Sequence, residues 1–230
     1  MDPRRIYIVT WLCTPNGVDL GHDPVAGALV NVHLIADDLP DAIRKSNSLV
    51  AESGWLADPN PNGFCLHLED ELDDVEFDEV QQILREVLDE GPVFLCHCFE
   101  KDDPLYNKEC ENYIWLLDWN ADNESDPEVA HIDDASGIMA VFLKCDGLLE
   151  VVSEGYEWIS SMGWMPDDEP RWAEQLVYSD IDDRVHSQYQ ICALEAFRDG
   201  HSIYIQSYPR ADGYPDRVFP LCEPDGVEDQ

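Results

Sequence analysis

Residues 28–55 read ALVNVHLIADDLPDAIRKSNSLVAESGW, and residues 137–164 read GIMAVFLKCDGLLEVVSEGYEWISSMGW. The two stretches align without a gap at an offset of 109. Val32 meets Val141, Leu34 meets Leu143, Asp37 meets Asp146, Leu39 meets Leu148, and Gly54-Trp55 meets Gly163-Trp164. Within each, apolar residues alternate at period two and then switch to helical spacing, so each reads as a strand followed by a helix. Asp37 or Asp38 suits a helix N-cap, Pro40 suits the first turn, and Gly54 or Gly163 suits a left-handed stop with the Trp packed behind it.

The same register continues outward. Glu71-Leu72-Asp73-Asp74 falls on Asp180-Ile181-Asp182-Asp183, and Gly91 falls on Gly200. With one residue of slip, Tyr7-Ile8-Val9-Thr10-Trp11 falls on Trp115-Leu116-Leu117-Asp118-Trp119. This predicts a tandem duplication of a module of about 109 residues with element order β-β-α-β-α-β. Strands are expected over Ile6–Leu12, Leu29–Ala36, Phe64–Leu68 and Val93–Cys98. Their counterparts are Tyr113–Trp119, Ile138–Cys145, Gln175–Tyr178 and Ser202–Ser207. The second helices are expected over Phe77–Glu90, with Phe77 opening the apolar stripe, and Ser187–Asp199. The fold class expected is α+β, with the helices on one face of a mixed or antiparallel sheet, a variant close to the ferredoxin-like layout. Residues 1–100 form the first module, 101–112 a linker, 113–208 the second module and 209–230 an acidic tail rich in Pro and Gly.

The chain has 230 residues, 44% of them hydrophobic, enough to bury a core. Acids number 50 against 13 Lys plus Arg, a net charge of −37. The acidity is spread: 23 acids face 7 bases before residue 110, and 27 face 6 after it. Such a chain has no basic face for phosphates or anionic lipid, which excludes direct nucleic-acid binding and electrostatic docking on membranes. No run approaches the ~18 apolar residues of a membrane helix. The eight Cys lack the spacing of a disulfide scaffold, and most sit in apolar runs, so a reducing cytoplasm is expected.

Signatures of common catalytic sites are missing: no phosphate-cradling Gly loop, no G-x-S-x-G, no H-E-x-x-H and no C-x-x-C. One metal constellation stands out. Cys65 and His67 alternate on one strand, Cys96 and Cys98 on another; if those strands pair, three thiolates and an imidazole could hold Zn²⁺. The competing reading is four core side chains and no cofactor. The run EDELDDVEFDE, Glu69–Glu79, has eight acids in eleven residues without the Gly of an EF-hand loop. It reads either as a solvated helix entry or as a contact for a basic partner. In the second reading Glu69, Asp70, Glu71, Asp73, Asp74, Asp180, Asp182 and Asp183 carry the contact. The functional expectation is a non-enzymatic acidic binding or inhibitor protein of the immunity, anti-defence or DNA-mimic type. Its partner would be a basic protein such as a toxin or nucleic-acid-binding protein. The alternative is a duplicated α+β module with a small-molecule or zinc role in an acidic or salt-adapted proteome.

Overall fold

In a computed structural model, the residues described are 3–17, 25–75, 77–100, 113–122, 134–178, 181 and 187–209. The elements run β1 (Arg5–Pro15), β2 (Val25–Ile35), α1 (Leu39–Glu52), β3 (Trp55–Ala57), β4 (Gly63–Leu68), α2 (Asp78–Glu90) and β5 (Val93–Glu100). They continue as β6 (Tyr113–Asp122), β7 (Asp134–Leu143), α3 (Leu148–Ser161), β8 (Met165–Pro166), β9 (Trp172–Val177), α4 (Ser187–Asp199) and β10 (His201–Pro209). A 3-10 turn over Glu69–Asp74 joins β4 to the approach of α2. Residues 101–112 and most of 209–230 lie outside the described residues.

Local chemistry explains the helix ends. The Asp38 side chain accepts from the Asp41 backbone N–H, so the N-cap of α1 is closed by its own sequence. Gly54 and Gly163 adopt φ +83° and +86°, a region that costs any residue with a Cβ. Trp55 then turns into the core and is buried, with Trp164 packed beside the same cluster.

Among the described residues every strand pairing is antiparallel, and the sheet has ten strands. Its main order is β10-β7-β6-β9-β4-β1-β2-β5, with β3 beside β1 and β8 beside β6. The first half contributes β5-β2-β1-β4 and the second β10-β7-β6-β9. They join at β4–β9, through Gly63↔Glu174, Phe64↔Ala173 and Cys65↔Trp172. One continuous sheet therefore crosses the whole molecule.

The bonds around this seam match on both sides. Asn62 donates its N–H to the Thr10 carbonyl at 2.8 Å, and its own carbonyl accepts from Gln175 at 3.0 Å. Arg171 donates to the Asp118 carbonyl at 2.8 Å, and its carbonyl accepts from Leu66 at 2.8 Å. Close approach makes the seam possible: a Cβ on Gly63 would lie 2.4 Å from the Ala173 carbonyl oxygen.

The expectation of helices on one face is overturned. Odd residues of β1, Tyr7, Val9 and Trp11, pack in the cluster that holds α1 and α3. Even residues Ile6 and Ile8 pack with α2, and Ile114, Leu116 and Phe142 pack with α4 on that same second face. Among the described residues the protein is thus a three-layer sandwich, two helices on each side of an antiparallel sheet, and the ferredoxin-like layout does not form. The physical cause is the near-continuous apolar character of β1, β6 and β7, which would leave one hydrophobic face in water if the other alone were covered. No helix among the described residues is long and apolar enough to cross a membrane.

Candidate functional site

The acidic run after β4 is held in place by one apolar anchor. Leu72 is buried against Ile6, Leu84 and Val87, which turns the flanking acids outward. Three of those acids are then neutralised within the chain. Glu69 takes Arg4 in a bidentate pair at 2.9 and 2.7 Å. Glu71 takes Arg171, a hundred residues away, at 2.9 and 2.8 Å. Asp73 takes Arg85 of α2 at 2.7 Å. The Arg4 hydrogen bond holds the Glu69 carboxyl below its ordinary pKa. These three residues are struts of the turn as much as a contact surface.

The acids left exposed and outside those pairs are Asp70 and Asp74, with Asp78 and Glu79 opening α2 and Asp89 and Glu90 closing it. Asp78 and Glu79 sit where the helix dipole favours negative charge. Between Asp74 and Asp78 stands Phe77, 60% exposed as the residue preceding α2 rather than a member of its apolar stripe. Sequence reasoning placed Phe77 inside the helix; the helix begins one residue later, and that shift turns the ring to solvent. Asp180, Asp182 and Asp183 lie outside the described residues. Tyr178, which precedes them at the end of the second-half seam strand, is also 60% exposed.

The four side chains of the zinc constellation do not converge. β4 and β5 are separated by β1 and β2, three strand spacings or roughly 14 Å. They also occupy opposite faces. Cys65 and His67 stand over Ile8 and Ile6, on the α2 side. Cys96 and Cys98 stand over Val30 and Ala28, on the α1 side. No group of three or more potential ligands assembles among the described residues. The premise that failed was strand adjacency: consecutive order along the chain does not make β4 and β5 neighbours.

Cys65 and His67 do meet each other, with Sγ 3.3 Å from Nε2. Burial pushes the Cys65 thiol up to about 12 and the His67 imidazole down to about 4. Both are therefore neutral near pH 7, and the pair is a thiol–imidazole hydrogen bond rather than an activated thiolate. Nearby on the same face, Asp118 has a sealed Oδ1 with no hydrogen-bond partner. Burial raises its carboxyl to about 7, partly offset by Arg171.

The opposite face of the seam carries a second polar knot. The Glu169 carboxylate accepts from the Tyr7 hydroxyl and from the Leu39 N–H at 2.7 Å, and pairs with Arg5 at 3.5 Å. Leu39 is the first residue of α1, so a second-half carboxylate closes a first-half helix. In return, Asn60 Nδ2 donates to the Asp146 carbonyl at 3.3 Å, at the entry of α3. Burial and the Glu169 hydrogen bond raise the Tyr7 hydroxyl well above its ordinary pKa, so it stays a donor. These contacts fasten the halves, beside a small cleft lined by Arg5, Asp167, Asp168 and Glu169.

The fold and its surface define a three-layer antiparallel protein whose exposed Phe77 is flanked in the chain by the exposed acids Asp74, Asp78 and Glu79. Comparison of the chain with protein-family models, curated proteins and solved structures finds no match.

Proposed function

We propose that this chain is a non-enzymatic acidic binding protein that occupies a basic site on a partner protein, as an inhibitor, immunity protein or DNA mimic would. The observation that carries the reading is Phe77, 60% exposed among Asp74, Asp78 and Glu79. An exposed ring inside a charged rim is the composition of an interface anchor: the ring supplies desolvated contact area, and the carboxylates steer a cationic partner. The buried, neutral state of Cys65 and His67 leaves that thiol–imidazole pair inactive as nucleophile and base near pH 7, which supports a binding role.

The recurrence of helix starts at Leu39 and Leu148, and of strand starts at Gly63 and Trp172, supports descent from a duplicated module of 109 residues. Six free cysteines among the described residues support the cytoplasm as the working compartment. The contact residues now proposed are Asp70, Asp74, Phe77, Asp78 and Glu79, with Asp180, Asp182 and Asp183 as the second edge.

The test is capture from native lysate at low salt by two baits, the full chain and a variant carrying Asp74→Asn, Phe77→Ala, Asp78→Asn and Glu79→Gln. One dominant basic protein, held by the first bait and lost by the second, supports the reading. Equal capture by both baits, or a smear of basic proteins released together by salt, refutes it.

A further inference from the structure

Cys96 and Cys98 are the two thiols that the molecule leaves exposed among the described residues. They lie on β5, whose only partner among the described strands is β2, so it is the end strand of the described sheet. Residues i and i+2 of a strand share a face, and here that places the two Sγ atoms 3.6 Å apart. His97 falls on the other face of the strand, over Leu29. The segment Val93–Phe99 holds no charged residue, so nothing on the strand itself competes for a cation or pairs with a thiolate.

We infer that Cys96 and Cys98 form a two-thiolate site for a monovalent thiophilic cation, Cu(I) being the chemical class. Metal–sulfur bonds of about 2.3 Å let two sulfurs share one ion at any separation up to roughly 4.6 Å, and this pair falls inside that limit. The ligand count selects the ion. No third His, Cys, Asp or Glu joins the pair among the described residues, so the four-ligand shells of structural zinc are not on offer. Soft thiolates select Cu(I). Sulfurs 3.6 Å apart would hold the ion in a bent arrangement, about 100° between bonds of about 2.3 Å, and opening the pair toward roughly 4.6 Å by side-chain rotation would straighten it. The net charge of −37 raises the local concentration of any cation.

The binding step is a displacement without redox change. Each thiol loses its proton to buffer, two S–Cu bonds form, and the ion leaves its previous ligand. Affinity should therefore climb steeply with pH, about 100-fold per unit for two protons released.

The test is an anaerobic titration of the full chain with the Cu(I)–bicinchoninate complex, read by loss of its colour and by intact mass. One ion per chain is expected at pH 7.5, with an affinity about 100-fold weaker at pH 6.5. Cys96→Ser and Cys98→Ser should each weaken binding at least 100-fold with unchanged urea midpoints. Cys65→Ser and the double variant Cys110→Ser, Cys222→Ser should bind as the parent does. The inference is overturned if the parent takes no ion, if either β5 variant keeps full affinity, or if the loss follows Cys110 and Cys222.

Discussion

Gly63→Ala tests the seam by the sign of its effect. Alanine in a strand interior is ordinarily favoured over glycine by roughly 0.5–1 kcal/mol, because glycine loses more backbone entropy on folding. At Gly63 the added methyl would stand 2.4 Å from the Ala173 carbonyl oxygen and 3.2 Å from the Glu174 Cα. Both obstacles are backbone, so no side chain can rotate away. Relief requires β4 and β9 to part locally, and that junction is short, three register pairs with one flanking backbone bond on each side. Overpacking of this kind costs about 1–3 kcal/mol, and rigid neighbours put it at the upper end. The expected net loss is about 2 kcal/mol. The assay is urea unfolding of parent and variant, followed by far-UV circular dichroism and by Trp fluorescence. A lowered midpoint is expected in both signals. A second transition would show the halves unfolding apart, since the strand pairing between them is weakened directly. A variant equal to the parent, or more stable, refutes the close approach at the seam and with it the continuous sheet.

Other consequences follow from single groups. Asp118, raised to about 7, and His67, lowered to about 4, act on stability with opposite signs. The folded state holds the Asp118 proton too long, so its penalty is absent below about pH 4, grows as pH rises and is complete above 7, at up to about 4 kcal/mol. His67 is buried neutral, so its penalty appears as pH falls from 6.5 toward 4. Asp118→Asn should therefore be more stable than the parent at pH 8, with the gain shrinking toward pH 5; urea midpoints across that range check it, and a pH-independent difference refutes it. Glu169→Gln keeps the shape but weakens the acceptor shared by Tyr7, Leu39 and Arg5, and should cost about 1–3 kcal/mol in the same assay. Gly155→Ala would set a methyl 2.6 Å from the buried Trp119 ring, so a loss of about 1–3 kcal/mol and a shifted Trp emission are expected. Melting in rising NaCl should show the midpoint climbing by several degrees between low salt and ~0.5 M, as screening relieves self-repulsion; a flat response removes charge as a burden on the fold.

The local steps of the fold are legible from the chain. Asp38, Pro40 and Gly54 bracket α1, and period-two alternation marks β2 and β4, because caps and strand faces are decided by residues within a few positions. What lies between distant residues is not. Nothing near Cys65 says that two strands separate it from Cys96, and the zinc constellation failed on that point. The pairing of Arg171 with Glu71 spans a hundred residues and gives that acid a bracing role that no local pattern signals. One signal of the two-sided cover lies in the chain itself: Ile6 to Cys13 is apolar on both parities, which is the mark of a strand covered on both faces. Phe77 was missed for a different reason. Helix boundaries are uncertain by a residue or two, and one residue decides whether a ring at the start of a helix is core or surface.

The placement of the few cations bears on why the acidity is there. Every arginine among the described residues, namely Arg4, Arg5, Arg44, Arg85, Arg171 and Arg198, stands in an ion pair. Arg4, Arg85 and Arg171 brace the acidic turn, and Arg5 joins the knot at the seam. Exposed pairs of this kind contribute little stability, at most about 1 kcal/mol each, so they do not repay the repulsion of the remaining carboxylates. Their effect is geometric: they fix the direction of the turn between β4 and α2 while leaving Asp70, Asp74, Asp78 and Glu79 without a cation among the described residues. Acidity that served only solvation would need no such bracing, because a hydrated carboxylate works equally well in any orientation. A rim that must meet a fixed set of positive charges does need it, and its on-rate should fall when the bracing arginines are removed even though the acids remain. Arg85→Gln provides that separation. It raises the net negative charge and so strengthens generic attraction, yet on this reasoning it slows capture of the specific partner by loosening Asp73 and its neighbours. Faster association, measured at the same ionic strength, would show that charge quantity and not its arrangement is what the surface presents.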